Sequence, residues 1–160
     1  MREQTLRRFF EGTATARELA RDISGSDRRA SPNVTITSIE DMDDEFDLTA
    51  TMAVRLCDAV LGGELSAADL KTIGFALVAS DKFQWDADQD DVLASVISDW
   101  SCPEINYPLT LENVQRFRAW LTREESYPAK PGPSATKSER KIISVREKRK
   151  VRSIRKLFGL

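Results

Sequence analysis

Histidine is absent from all 160 residues of this chain. That removes the side chain most often used as a general base and most often found on a metal. Only Cys57 and Cys102 carry thiols, too few for a disulfide framework or a four-thiolate zinc site. They are read as reduced thiols, with a single disulfide between them as the alternative. Long apolar runs are missing as well. The longest, 73–79, falls far short of the roughly 20 residues of a membrane-spanning helix, and MREQTLRRFF at the N-terminus holds no apolar signal-peptide core. The expectation is a soluble, cytoplasmic protein with no transmembrane segment.

The charge that is present is unevenly placed. Residues 1–136 carry 14 basic and 24 acidic side chains, whereas 137–160 carry 10 basic and 2 acidic, so the formal net charge of −2 describes neither part. An acidic body joined to a basic tail informs about partners more than about chemistry, because opposite fields attract different surfaces. With 41% hydrophobic residues, the chain is long enough for one domain with a sizeable core.

Helical punctuation organises the body. Gly12-x-x-Thr15-Ala16-x-Glu18-Leu19 recurs as Gly63-x-x-Ser66-Ala67-x-Asp69-Leu70, each copy preceded by an apolar pair, Phe9-Phe10 and Val60-Leu61. In each copy the glycine suits a left-handed helix end, and the hydroxyl three residues later suits the start of the next helix. Thr15 with Glu18 predicts a capping box, and Ser66 with Asp69 a weaker one. The match is short, and two unrelated hairpins using the same punctuation account for it as well as a repeat does.

Val34 to Ile39 alternates like a strand but has no evident partner, so an extended loop is expected there. Leu48, Met52, Leu56 and Val60 share a helical face with Cys57 beside it. A helix from about Ala67, apolar nearly all round between Ile73 and Ala79, is expected at the centre of the bundle. The spacing of Val92, Leu93, Val96, Ile97 and Trp100 predicts a helix from about Asp88. Thr110 is expected to cap a last helix with an apolar stripe of Leu111, Val114, Phe117, Trp120 and Leu121. The fold class is therefore all-α, a single bundle of about six helices over 1–126. A linker at 127–136, with three prolines and a glycine in its first eight residues, leads to a basic tail at 137–160.

No catalytic pattern emerges. The 26 acids offer no spacing that selects a carboxylate pair, neither cysteine has a histidine to activate it, and Gly62-Gly63 lacks the phosphate-loop lysine pattern. Asp86-x-Asp88-x-Asp90 opens like a calcium loop, but Asp91 stands where that loop needs glycine and Ile97 where it needs glutamate. No metal and no cofactor are expected, and the chain is read as a binding protein rather than an enzyme. Two acidic runs are the candidate partner-binding residues: Asp41, Asp43, Asp44, Glu45 and Asp47, then Asp86, Asp88, Asp90 and Asp91. Their plain alternative is solvated surface.

In the tail, Ile143, Val151, Ile154, Leu157 and Phe158 fall within about a third of a helical circumference, interrupted by Glu147 and Lys150. Such a stripe could dock on the body, form a dimer or adsorb to anionic lipid. Lys148, Arg149, Lys150, Arg152, Arg155 and Lys156 are the alternative site, for an anion or nucleic-acid backbone.

Leu6-x-x-Phe9-Phe10-x-Gly12-x-x-Thr15-Ala16-x-Glu18-Leu19 resembles the opening of the small helical bacterial immunity proteins of the colicin D type. The resemblance covers about 15 residues, echoed at Leu56 to Leu70, and transfers no individual contact residue. It implies a helical bundle whose acidic face occupies the positively charged active site of a toxin ribonuclease in place of RNA. Two functions are therefore carried forward. One is an immunity or inhibitor protein whose acidic surface meets a basic, nuclease-like partner. The other is a nucleic-acid-associated or regulatory module working through the tail.

Overall fold

The computed structural model describes residues 1–24, 26–31 and 34–128. The linker beyond Pro128 and the tail, with Lys148, Arg149, Lys150, Arg152, Arg155 and Lys156, lie outside the described residues. The described residues are mostly helical, with six helices and short strand segments. In chain order these are α1 (Glu3–Glu11), α2 (Ala16–Ile23), β1 (Asp27–Ser31), β2 (Val34–Thr37), β3 (Phe46–Asp47), α3 (Ala50–Leu61), α4 (Asp69–Ala79), β4 (Phe83–Gln84), α5 (Asp91–Ser101) and α6 (Leu111–Leu121).

The two elbows foreseen from the repeated punctuation share one hydrogen-bond pattern. Gly12 and Gly63 take left-handed φ angles of 79° and 74°, where a side chain would be strained. After Gly12, the N–H groups of Thr13 and Ala14 both donate to the Arg8 carbonyl; after Gly63, those of Glu64 and Leu65 both donate to the Ala59 carbonyl. Thr15 Oγ1 then accepts from the Glu18 N–H while the Glu18 carboxylate accepts from the Thr15 N–H, and this holds the Glu18 carboxyl below its ordinary range. Ser66 and Asp69 make the same reciprocal pair at 3.2 and 2.8 Å. The second box is the weaker one, as expected, because Thr15 also donates its hydroxyl to Glu18 at 2.9 Å and Ser66 makes no such bond to Asp69. The second elbow also differs in opening with i→i+3 bonds at Asp69, Leu70 and Lys71, so α4 becomes regular only from Asp69.

The core is contiguous across all six helices, with Leu6, Leu19, Leu56, Leu70, Leu93 and Trp100 among its least exposed members. Each large aliphatic side chain buried in this way contributes roughly 1.5–3 kcal/mol before conformational entropy is subtracted. α4 packs on α5, and α3 on α6. Gly74 makes the first contact close: a Cβ there would lie 2.7 Å from Trp100 Cβ and from the Ser101 backbone nitrogen. Four of the five buried apolar positions expected on α6 hold, but Leu111 is 58% exposed. It is the first helical residue, one turn ahead of the face that α3 covers. Phe75 likewise interrupts the burial of α4, at 44% exposure.

Short strands accompany the helices, and one of them corrects the extended loop expected at Val34 to Ile39. Val34–Thr37 is paired antiparallel with Asp27–Ser31, with an irregularity between Arg29 and Ser31. Its partner is a charged segment without apolar alternation, which is why the pairing left no pattern in the sequence. β3 and β4 form a second, parallel ladder, Phe46 opposite Phe83 and Asp47 opposite Gln84. Two other boundaries move. α5 begins at Asp91 rather than Asp88, because Asp90 caps it by accepting from the Leu93 N–H. Tyr127, placed in the linker by composition, belongs to the first compact unit, Met1–Tyr127. Its ring lies 4.9 Å from that of Trp120, and its hydroxyl donates to buried Asp99 at 2.8 Å.

Candidate functional site

The first acidic run is held from beneath by α1. The N–H of Glu3 donates to the Glu40 carbonyl and that of Glu40 to the Met1 carbonyl. The Glu3 carboxylate, 1% exposed, accepts from the Met42 N–H at 3.0 Å. Met42 is buried and Phe46 half-buried, so these two apolar residues anchor the run while Asp41, Asp43, Asp44, Glu45 and Asp47 remain exposed. Phe46 stacks on Phe10 with centroids 6.1 Å apart and meets Phe83 edge-on at 5.9 Å. Aromatic pairs of this kind add about 0.5–1.5 kcal/mol beyond burial.

The second run is held by its own backbone turn. Asp86 Oδ1 accepts from the N–H groups of Asp88 and Gln89 at 2.9 and 3.1 Å. Asp90 Oδ1 accepts from Leu93 at 2.9 Å and from the Arg123 guanidinium at 3.0 Å. The first and third carboxylates of the calcium-like spacing are thus engaged in a turn and a helix cap. Among the described residues no group of three or more His, Cys, Asp or Glu side chains is arranged to hold a metal ion.

The β3–β4 ladder joins the two runs. Phe46 donates its N–H to the Lys82 carbonyl and Leu48 to the Gln84 carbonyl, so Asp47 stands beside the strand that leads into Asp86. Eight of the nine candidate acids are exposed; Asp90 is half-buried. Asp41, Asp43, Glu45, Asp47, Asp88 and Asp91 have no side-chain hydrogen bond or ion pair among the described residues. Cations that the sequence did not point to meet Asp44 and Asp90. Arg7 lies 3.6 Å from Asp44 and over the Phe46 ring at 5.5 Å, and Lys82 Nζ reaches the Asp43 carbonyl. These contacts join distant parts of the chain, and no local spacing signals them.

A concavity of about 360 Å³ lies between the two elbows and is lined by Phe9, Ala14, Arg55, Asp58 and Glu64 among others. Its cation is committed to the fold. Arg55 donates to the Phe10 carbonyl at 2.8 Å and covers the Phe9 ring at 5.2 Å, complementing the negative end of α1. Arg118 holds Asp58 at 2.7 Å. The thiols divide: Cys57 is buried, which pushes its pKa from 9.0 up to about 12, while Cys102 is exposed. A thiol so shifted is not a nucleophile near neutrality. Among the described residues no helix is long and apolar enough to cross a membrane.

No family model, curated protein or solved structure matches this chain.

Proposed function

We propose that the protein is a non-enzymatic binding protein whose acidic runs, 41–47 and 86–91, occupy a cationic surface of a partner protein, in the manner of an inhibitor or immunity protein acting on a nuclease. The observation that carries this reading is the Phe46–Phe83 ladder. It joins two acidic runs far apart in sequence into neighbouring parts of one surface and leaves six of their carboxylates with no side-chain hydrogen bond or ion pair among the described residues. Keeping like charges together on a rigid support costs stability, since each repels the next. The compensation is electrostatic complementarity, which speeds encounter and selects against other partners. The N-terminal resemblance to colicin D-type immunity proteins favours a nuclease as that partner.

The test is capture from cell extract at low salt with the full chain as bait. The proposal expects a basic protein to be retained, lost when Asp43, Asp44 and Asp47 are all changed to lysine, and kept when the chain ends at Pro128. Retention of nucleic acid that depends on residues 137–160 and ignores the acidic changes would overturn it in favour of the tail.

A further inference from the structure

Among the described residues three helices end in a left-handed residue with the same two backbone hydrogen bonds, and in the third that residue is not glycine. Gly12, Gly63 and Arg123 take left-handed φ angles of 79°, 74° and 63°. Each donates its N–H to the carbonyl three residues back, in Phe9, Val60 and Trp120. Two residues further on, the N–H groups of Ala14, Leu65 and Glu125 donate to the carbonyls of Arg8, Ala59 and Ala119 at 3.0, 3.1 and 3.1 Å. Glycine adopts this conformation without strain, and an arginine does not. The third elbow therefore keeps a side chain where its backbone would be better served by none.

The use of that side chain is visible. The Arg123 guanidinium lies 3.0 Å from Asp90 Oδ1, on the residue that caps the start of α5. Four residues later the Tyr127 hydroxyl donates to Asp99 Oδ2 at 2.8 Å, in the last turn of the same helix. Nine helical residues separate Asp90 from Asp99, a rise of about 13.5 Å. Four residues of extended chain reach about 13 Å, to which the arginine side chain adds. The segment is thus long enough to follow α5 and is fastened near both its ends. Around it, Arg118 reaches Glu124 at 3.4 Å, and the Thr122 hydroxyl donates to the Arg118 carbonyl at 3.0 Å.

We propose that residues 122–127 are a strap, buckled at Tyr127 and anchored at Arg123, which opens as a unit while the helices remain folded. Its buckle is a half-buried tyrosine whose hydroxyl bonds Asp99 and whose ring meets Trp120, its anchor is one exposed ion pair, and its backbone is strained at the anchor. These are the marks of a segment with a lower opening free energy than the core it covers. Opening parts Arg123 from Asp90. On the acidic-surface reading, and only there, this takes the cation from Asp90, which still accepts from the Leu93 N–H, and makes the joined runs locally more negative.

The strap is tested on the full chain without any partner, so its failure and that of the binding proposal are distinguishable. Native-state hydrogen exchange is followed at the Arg123 and Glu125 amides and at those of Leu77 and Ile97 in the core helices. Brief digestion with trypsin, under native conditions, reports cleavage after Arg123. Tyr127→Phe is expected to speed both Arg123 readouts tenfold or more while Leu77 and Ile97 exchange as in the parent chain. Val96→Ala, which weakens the core, is expected to speed the core amides instead. Two results would overturn the strap: no change at Arg123 in Tyr127→Phe, or an equal acceleration of the strap and core amides in that variant.

Discussion

Phe46 and Phe83 meet edge to face, 5.9 Å between centroids, at the first rung of a parallel ladder only two residues long. So short a ladder has little hydrogen bonding to hold it, and the aromatic contacts with Phe10 supply the rest. Phe83→Ala should therefore cost about 3–5 kcal/mol. Urea denaturation gives that figure directly. The same variant should loosen both acidic runs, seen as faster exchange of the Phe46 and Leu48 amides, which donate across this junction.

Two opposite effects meet at Gly74. In an open helix, alanine is favoured over glycine by about 1 kcal/mol. Here a Cβ would stand 2.7 Å from Trp100 Cβ, and overpacking of a tight contact costs about 1–3 kcal/mol. The clash is with backbone and a first side-chain carbon, neither of which can swing away. Gly74→Ala should lower the denaturation midpoint, and an unchanged or raised midpoint would show that α4 and α5 separate freely.

The reciprocal pair shared by the two elbows has an energetic counterpart. Thr15→Ala and Ser66→Ala should each cost about 1 kcal/mol, since each removes the acceptor of a reciprocal cap. The carboxyl of Glu18 sits below its ordinary value because Thr15 donates to it through both N–H and hydroxyl. A carboxyl lowered in the folded state contributes stability above its unfolded pKa and loses it as pH falls through the folded one. The difference between the parent chain and Glu18→Gln in thermal melts should therefore shrink on acidification below the ordinary glutamate range.

At alkaline pH the buried Cys57 thiol and the half-buried Tyr127 phenol act together. Burial raises Cys57 from 9.0 to about 12, and burial with Asp99 nearby raises Tyr127 above its ordinary 10.0. Groups raised in the folded state stabilise it fully below their unfolded pKa, so stability should decline from about pH 9 upward, by at most about 1.4 kcal/mol per pH unit for buried Cys57 and by less for the solvent-screened Tyr127. Tyr127→Phe should make that decline shallower above pH 10. In the native protein a thiol reagent such as Ellman's should titrate Cys102 alone, and Cys57 only after unfolding.

What could be read from the sequence is what the chain encodes locally. Helix faces, the Thr110 cap and both elbows follow from spacings of three to seven residues, and they stand where those spacings place them. The acidic runs were visible for the same reason. Their junction was not, because β3 and β4 are too short to alternate and pair residues far apart. Nor were the roles of Arg7 and Arg123 visible, since charge pairs between distant segments leave no spacing. Tyr127 was misplaced by its neighbours: Pro128 and the prolines after it mark a linker, but a hydroxyl can find Asp99 only in three dimensions.

The central claim is that the joined acidic runs capture a cationic protein, and the rate of association with the captured partner tests it most directly. Rates are measured at low and moderate salt for the parent chain, for the variant carrying Asp43→Lys, Asp44→Lys and Asp47→Lys, and for a chain ending at Pro128. Association steered by charge should be fast at low salt and slow steeply with added salt in the parent. Reversal of the three acids should slow it on the order of tenfold or more and flatten the salt dependence, while the shortened chain keeps the parent's steep slope. Equal rates and slopes for the parent and the triple variant would contradict the account.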